Sequence, residues 1–399
     1  MSPGGYAMKT QVRSILALAV AAAIAPAAHA DIAIDVINGS EVSLEGLMQA
    51  DGNWFHNDRL DLNAATPPGR DGKDTEFDMR RSEVVLKGKG GMFDWVLGFD
   101  GKANKWLDAN LKWKIGTNYL VAGQFKQPNS LEELTSTRHN DFIAKAMVTN
   151  LFGVARRTGV AYGDDKSNWG YQVSMFSREL TRNLAQGQGF GGRFYIAPIM
   201  ESGNILHFGL SMVDYDAKVA GQVGDSTRLR VRPDADLATT RLVDTGVILN
   251  ADRQRTFGAE AAYVTGPLKF QSEYMRSTVS RTSNTTAPDF TGDSWYVYGV
   301  WNLTGETWGY KAGLPTTSLP EEPAKGMWQL GVRYDKTSLN DTPINGGEEH
   351  NITVGLNWYW RSNFKFMVNY VKVNSDKIVN GVKTSDDPNI IETRAQFYW

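Results

Sequence analysis

The chain has 399 residues, 41% of them hydrophobic, no cysteine and a formal net charge of −2 at pH 7. The lack of cysteine excludes disulfides and thiol chemistry, and no basic stretch gives a nucleic-acid signature. With a mean hydropathy of −0.37 and no apolar run beyond the N-terminus long enough for a spanning helix, the chain is either soluble or crosses a membrane with strands.

The first 30 residues are predicted to be a cleaved signal peptide. Lys9 and Arg13 supply a positive start, residues 15–28 an apolar stretch, and residues 28–30 a small-x-small cleavage site. The apolar stretch is shorter than the roughly 20 residues of a membrane anchor. Met8 is the expected start of translation, and the mature chain is expected to begin near Asp31. Without the two basic residues of this segment, 40 Lys and Arg oppose 44 Asp and Glu, a net charge of −4.

Segments with an apolar residue at every second position recur along the rest of the chain, as in Trp328 to Asp335. This period of two predicts β-strands. Sixteen strands are predicted, at 42–51, 76–87, 92–100, 108–115, 119–126, 153–163, 168–177, 190–197, 204–215, 255–264, 267–278, 294–303, 327–336, 350–360, 363–374 and 390–399. No repeat, linker or shift of composition separates them, so residues 31–399 are expected to form one domain.

The connections distinguish a membrane barrel from a soluble sandwich, which alternation alone does not. Short turns are expected at 88–91, 115–118, 163–168, 198–203, 265–267 and 361–363, and longer loops at 52–75, 127–152, 178–189, 216–254, 279–293, 337–349 and 375–389. Short turns on one side and long loops on the other are typical of outer-membrane barrels. Residues 304–326 are the exception, since they are long where a short turn is due, and 14 or 18 strands stay possible.

The last segment alternates between two kinds of face. Ile391, Phe397 and Trp399 share one face, whereas Glu392 and Arg394 lie on the other. In outer-membrane barrels the apolar face meets lipid and the polar face a water-filled lumen. Together with the export signal, this pattern predicts an all-β transmembrane antiparallel barrel in the outer membrane of a Gram-negative bacterium. Its expected neighbours are outer-membrane lipid and lipopolysaccharide.

Residues 127–152 are the first candidate for a functional element. This stretch follows the fifth predicted strand, carries helix-start residues at Asn129 and Ser130, and mixes acidic with basic side chains. It is predicted to fold into the lumen and narrow it, and a surface loop held by a short helix is the alternative. Lys126, just before it, is expected to face the lumen.

Arginines form the second candidate. Arg228, Arg230 and Arg232 alternate along an extended stretch, so their guanidinium groups share one face. Guanidinium binds phosphate and carboxylate oxygens in a bidentate manner, and rows of Arg or Lys suit an anion-selective pore. The alternative is that they pair with nearby aspartates in a solvated loop, or bind lipopolysaccharide phosphates. The adjacent pairs Arg80–Arg81 and 156–157 should each point one arginine inward if they lie in regular strand.

Enzyme chemistry finds little support in the sequence. The histidines show no HExxH or other ligand spacing, and no Gly-x-Ser-x-Gly motif occurs. Ser136 and His139 could form a hydrolase pair in principle, but no acidic partner is suitably spaced. Neither a metal site nor a cofactor is expected.

Several motifs in order resemble the phosphate-selective porin O and P family. The resemblance is carried by residues 121–136 (VAGQFKQPNSLEELTS), by 155–159 (ARRTG), and by 77–81, 107–109, 303–306 and 355–359. These matches extend from about residue 40 to the end. The resemblance implies a sixteen-stranded barrel, usually a homotrimer, whose members take up phosphate or polyphosphate through an arginine ladder that leads to lysines at a constriction.

The family's functional positions carry over only in part. The ladder falls on the arginines 80, 81, 228, 230 and 232, and two constriction positions fall on Asp108 and Lys145. Three positions that are basic in the family hold Leu47, Val96 and Glu133. Lys126 or Lys325 could replace the missing positive charge.

The sequence therefore predicts a passive outer-membrane porin that prefers small anions, plausibly phosphate or polyphosphate. A general or weakly cation-preferring porin is the alternative, favoured by Glu132, Glu133 and Asp108. A barrel that serves as the scaffold of an adhesin or an outer-membrane enzyme is a third hypothesis.

Overall fold

The computed structural model describes residues 32–37, 40–64, 74–181, 188–217, 225–317 and 319–399. Its main sheet contains 18 strands, and every pairing is antiparallel. Two of the strands, Ile32–Ile37 and Val382–Asp386, each pair with one neighbour only. The other sixteen form a closed ring, since the first pairs with the last from Leu47–Tyr398 to His56–Asn389. The predicted barrel of about 16 strands is confirmed.

The ring strands are numbered here in chain order. They are β1 (Ser40–His56), β2 (Thr75–Gly90), β3 (Phe93–Asp100), β4 (Lys105–Ile115), β5 (Asn118–Lys126), β6 (Arg156–Asp165), β7 (Trp169–Phe176), β8 (Gly189–Glu201), β9 (Asn204–Asp216), β10 (Ala251–Thr265), β11 (Leu268–Arg281), β12 (Phe290–Asn302), β13 (Met327–Asp341), β14 (Ile344–Trp360), β15 (Phe364–Val379) and β16 (Asn389–Tyr398).

The strands are apolar outside and polar inside. On β13, Leu330 and Val332 are 37% and 50% exposed, whereas Gln329, Arg333 and Asp335 are buried. This is the reverse of a soluble domain, in which the apolar face is the covered one. It is the pattern expected when lipid surrounds the barrel and polar groups fill its interior.

Aromatic side chains form a continuous outer band where β14, β15 and β16 approach the short turns. Ring centroids of Trp358 and Phe366 are 5.5 Å apart, those of Phe364 and Phe397 4.8 Å, and those of Phe397 and Trp399 5.5 Å. Tryptophan and other aromatic side chains favour the boundary between lipid and water. The band therefore places this rim at a membrane surface.

The connections agree with the predicted alternation at most positions. Turns of two or three residues separate β2 from β3, β4 from β5, β6 from β7, β8 from β9, β10 from β11 and β14 from β15. On the opposite rim, β13 and β14 extend further than predicted and meet in a tight turn at 342–343. Residues 303–326, between β12 and β13, form the long exception on the short-turn rim and contain a small hairpin, Gly309–Lys311 with Leu314–Thr316.

Two other connections contain structure of their own. Residues 127–155 hold α1 (Leu131–Leu134), a 3₁₀ turn (Thr137–His139) and α2 (Met147–Phe152). Residues 217–250 contain two short pairings, Ser226–Thr227 with Ile248–Leu249 and Arg230–Val231 with Val243–Asp244. Among the described residues no helix is long and apolar enough to cross a membrane. The predicted signal peptide and the start near Asp31 lie outside the described residues.

Candidate lumen site

Residues 127–152, hereafter the inner loop, are anchored to the inner face of the barrel at α1. The Ser130 hydroxyl accepts a hydrogen bond from the Glu133 N–H, which caps the helix. Glu273, on β11, accepts bonds of 2.8 Å from the N–H groups of both Leu131 and Glu132. A carboxylate at these positions satisfies N–H groups that no residue of the helix can reach. The inner loop thus begins against a wall strand far from its own hairpin.

The middle of the inner loop is held by wall side chains that donate to its carbonyl oxygens. Five carbonyls between residues 138 and 144 accept such bonds, at 2.5–3.1 Å. The donors are Arg333 on β13, Asn357 on β14, Lys365 on β15, and Arg394 and Gln396 on β16. Irregular backbone at membrane depth requires such partners. These contacts place the loop in the interior rather than on the surface, the alternative considered from sequence.

Residues 226–250, hereafter the arginine segment, also contact the inner wall. Asp234 lies 3.3 Å from the Arg333 guanidinium, and Asp236 lies 2.9 Å from that of Arg80. Arg333 is also 2.5 Å from Asp335 on its own strand and 3.9 Å from Glu132 of α1. One buried guanidinium therefore connects the wall, the inner loop and the arginine segment.

The three alternating arginines have different environments. Arg228 forms two hydrogen bonds with the carboxylate of Asp244, and its side chain is 37% exposed. Arg230 is exposed, and Arg232 donates to the carbonyl of Ala238. Part of the paired, solvated arrangement considered from sequence is therefore present at Arg228.

Arg80 and Arg81 both have partners on the lumen side. Arg80 reaches Asp236, and Arg81 pairs with Glu83 at 2.9 Å. The residue pairing between strands β1 and β2 skips Arg80, since Gln49 faces Arg81 and Ala50 faces Met79. Such a bulge leaves one extra residue on one strand and disturbs the alternation of faces. The expectation that one arginine of this pair points outward required a regular strand and does not apply.

Five charged residues, hereafter the charge cluster, gather where β4, β5 and β6 meet the inner loop. Arg156 binds the Asp108 carboxylate through Nε at 2.9 Å and Nη2 at 2.7 Å. Lys145 lies 2.5 Å from Glu133. Burial would raise the pKa of Glu133, but the ammonium groups of Lys145 and Lys126 outweigh it and hold that pKa at about 2. These pairs leave two carboxylates neutralised.

Lys126 is the fifth member and is bound differently. Its ammonium donates to the carbonyls of Glu133, Leu134 (3.5 Å) and Thr135 (2.9 Å), at the end of α1. Three acceptors match the three N–H donors of a charged ammonium, whereas a neutral amine has two. Within the described part of the chain, no carboxylate oxygen lies within 4.0 Å of this group. When Lys126 is protonated, the charge cluster carries three cations against two anions, and the excess charge belongs to Lys126.

A cavity of about 280 Å³ lies beside the charge cluster. It is bounded by β4–β8, by Leu134 of α1, and by Ala312 and Leu314 of the hairpin at residues 309–316, hereafter the lumen hairpin. Its charged lining includes Asp108, Lys112, Lys126, Asp165 and Arg193. The last of these donates to the carbonyl of Gly313 at 2.8 Å.

Further contacts fix the walls of this cavity. Arg193 also binds Glu260 at 2.5 Å, and His207 joins Glu260 to the Tyr310 hydroxyl, which lies 2.7 Å from Nδ1. Lys112 lies 3.8 Å from Asp165. Nearly every charged group around the cavity is thus paired with a group of opposite charge. The sign of the net charge at the cavity therefore depends on Lys126.

Two interpretations from sequence lose support: Lys325 as a replacement charge at the constriction, and His139 as the partner of Ser136 in a hydrolase pair. Lys325 pairs with Glu322 three residues away, and its side chain is 74% exposed, so the structure does not bring it to the charge cluster. His139 contacts Tyr398 at a ring distance of 6.2 Å, and burial together with Lys365 and Arg138 lowers the pKa of His139 to about 4.

Sequence reasoning missed three contributors to the site. The Arg156–Asp108 pair joins positions 48 residues apart, although the adjacent arginines at 156–157 were a signal. The unusual length of residues 304–326 was a signal for the lumen hairpin. Nothing in the sequence singled out Arg193.

Comparison with known protein families supports the same kind of protein. The family model described as "Phosphate-selective porin O and P" matches residues 48–399. An uncharacterized protein of Caulobacter vibrioides is 29% identical over 313 residues, which cover 73% of this chain and 62% of that protein. Porin O of Pseudomonas aeruginosa is 27% identical over 236 residues, 52% of each chain. The chain thus matches between half and two thirds of these relatives' lengths.

Solved structures share the fold at low sequence identity. OmpT of Vibrio cholerae, an outer membrane protein, has a TM-score of 0.58 at 12% identity, covering 92% of this chain and 100% of its own. A trimer form of OmpT gives 0.57 at 12% identity, covering 91% and 100%. An anion-selective porin from Comamonas acidovorans gives 0.57 at 12% identity, covering 90% and 100%. These similarities are evidence of the barrel fold alone.

Proposed function

The chain belongs to the phosphate-selective porin O and P family and is an outer-membrane porin; from that premise we propose that it passes small anions by passive diffusion. Phosphate and polyphosphate are the solutes that the family suggests. An anion-selective porin of the same fold from Comamonas acidovorans makes the proposal plausible. Diffusion of this kind needs no cofactor.

The excess positive charge of Lys126 carries the proposal. The other four members of the charge cluster form two opposite pairs, Lys145 with Glu133 and Arg156 with Asp108. A unit charge in a site of low effective dielectric is felt over several ångström, by about 1–4 kcal/mol at effective dielectric constants near 20. An anion next to the cavity is attracted and a cation repelled.

The arginines form the proposed entrance. Arg230 is exposed, and Arg228, although paired with Asp244, keeps 37% of its side chain exposed. With Arg80, Arg81 and Arg232 they would concentrate anions near the lumen by electrostatic focusing. An unchanged anion/cation permeability ratio in the triple variant R228A/R230A/R232A would remove this part of the proposal.

Tight selection of phosphate is not part of the proposal. Leu47 has no charge, and the negative charge of Glu133 is opposed by Lys145, so these two positions add no free positive charge. A weak anion preference is the expected behaviour.

Single-channel recording in a planar bilayer under a KCl gradient tests the proposal. A reversal potential on the anion side is expected, since the lumen carries net positive charge at the charge cluster. A reversal potential on the cation side would favour the cation-preferring alternative. No current from correctly folded protein would instead support a scaffold for an adhesin or an enzyme.

A homotrimer is the proposed assembly. The family suggests it, and OmpT of Vibrio cholerae, which has the same fold, has a trimer form. Outer-membrane lipid and lipopolysaccharide would surround the assembly.

A further inference from the structure

Apolar side chains of one strand line one side of the cavity beside the charge cluster. Tyr119, Val121 and Phe125 on β5 line the cavity and form a buried cluster with Ala161 of β6. The first three residues are hereafter the apolar stripe. On β13, by contrast, the inward positions are Gln329, Arg333 and Asp335 (all buried). Other strands also turn apolar side chains inward, such as Tyr298 and Val300 on β12, but these pack in a cluster with Phe142 of the inner loop, whereas the apolar stripe lines a cavity.

Apolar groups on other elements face the same cavity. Leu134 comes from α1, and Ala312 and Leu314 come from the lumen hairpin. Apolar side chains from a wall strand, the inner loop and the lumen hairpin therefore line one cavity. The hydroxyl of Tyr195, which also lines it, is bound to Asp165 at 3.1 Å.

The cations lie at the edge of this apolar surface. Lys126 directly follows Phe125 in the chain and binds the carbonyl of Leu134. Lys112 lies 3.6 Å above the Tyr119 ring, and Arg193 lies 5.1 Å above the Tyr195 ring. Apolar walls with a few placed charged groups are typical of sites that bind organic molecules. A hydrated inorganic anion gains nothing from the apolar part.

We propose that this cavity prefers organic anions with a compact apolar or ring-shaped body and a single carboxylate or phosphate group, over inorganic phosphate. The charge of Lys126 would attract the anionic group without a direct hydrogen bond, since its three donors are bound to carbonyls, while the body packs against Val121, Phe125 and Leu314. The cavity of about 280 Å³ lies just below the roughly 300–1,000 Å³ of most small-molecule sites, which suits a single ring. This inference rests on the proposed anion preference of the lumen.

Block of the chloride current tests it, with benzoate, acetate and inorganic phosphate as probes at constant ionic strength. Benzoate and acetate both carry one carboxylate, so any difference between them reports the apolar body. The current should fall at a benzoate concentration at least about tenfold below that for acetate, as expected for burial of a ring. Equal block by benzoate and acetate, or strongest block by phosphate, would overturn the inference.

The variant Val121→Thr separates polarity from shape. Threonine has nearly the shape of valine, so the wall stays filled while its polarity changes. The benzoate advantage over acetate should fall by about threefold, while Val332→Thr, on the lipid-facing side of β13, should leave it unchanged. An unchanged advantage in Val121→Thr would also contradict the inference.

The outcome separates this inference from the proposed function. An anion-side reversal potential without a benzoate advantage would refute the preference for organic anions alone. A cation-side reversal potential would refute the anion preference itself, and with it both proposals.

Discussion

At the scale of single residues, the sign of the lumen charge depends on how each cation is bound. Arg156 and Lys145 are opposed by carboxylates, whereas Lys126 is bound by three carbonyls at the end of α1. Carbonyl oxygens satisfy the hydrogen bonds of an ammonium but carry no net charge to cancel it. From their positions alone, these three cations would contribute equally to the charge of the lumen. Their hydrogen-bond partners show that the charges of Arg156 and Lys145 are opposed and that of Lys126 is not.

Opposite changes at one ion pair should shift selectivity in opposite directions. Glu133→Gln removes a negative charge and leaves Lys145 unopposed, so the anion/cation permeability ratio should rise by about three- to tenfold. Lys145→Gln should lower the ratio by a similar factor. Reversal potentials in a KCl gradient measure both. Lys325→Gln, at an exposed position away from the charge cluster, is the control, and shifts of the same sign in both variants would contradict the account.

Several residues of this site could be proposed from sequence, but their partners could not. Asp108, Glu133 and Lys145 followed from the family resemblance, and Lys126 followed from its place beside the loop. The bond between Arg156 and Asp108 depends on β4, β5 and β6 being adjacent in the ring. No glycine or other turn residue in the sequence predicts the bulge at Arg80. Because of this bulge, both Arg80 and Arg81 lie on the lumen side.

At the scale of elements, the inner loop is fixed by side chains of the far wall. Residues 138–144 have irregular backbone, and their carbonyls receive bonds from β13–β16. The polar alternation of these strands is visible in the sequence and predicts a water-filled lumen. Part of that polar face instead serves as donors for the inner loop.

Weakening the anchor of the inner loop should make the current less steady. Glu273→Gln replaces a carboxylate that accepts from two N–H groups of α1 with a poorer acceptor, at a cost of about 1–2 kcal/mol. The open-channel noise should increase, and the conductance should change as the loop moves. Glu201→Gln, at the exposed end of β8, is the matched control, and identical noise in the two variants would show that Glu273 does not hold the loop.

The lumen hairpin shows why loop length predicts poorly. Residues 304–326 are too long for a short turn in the sequence, and the structure has a long connection there with a small hairpin. Nothing in its composition shows that Gly313 would lie against Arg193. That contact depends on the ring having brought β8 beneath a segment more than 100 residues later in the chain.

At the scale of the whole molecule, the barrel is set by alternation together with closure. Each of the sixteen ring strands overlaps a predicted strand, with ends that differ by up to six residues, because lipid outside and polar groups inside impose a period of two. The ends were predicted less well, since β13 and β14 continue as a hairpin beyond the expected loop start. Strand length outside the membrane depends on pairing between neighbours rather than on hydropathy.

The proposed homotrimer is testable on the intact protein. Detergent-extracted protein should migrate on unheated gels near three times the monomer mass of 44.2 kDa, less the signal peptide, and collapse to one band after boiling. Chemical crosslinking of whole cells provides an independent check. A single species at the monomer mass in both measurements would rule out the trimer.

If Lys126 gives the lumen its anion preference, that preference must depend on the charge at position 126, which a matched pair of variants isolates. Reversal potentials in a KCl gradient should move from the anion side towards zero in Lys126→Gln and stay near the wild-type value in Lys126→Arg, which keeps the charge and can donate to the same carbonyls. If Lys126→Gln forms channels whose reversal potential equals that of the wild type, the excess charge lies elsewhere and the account is wrong.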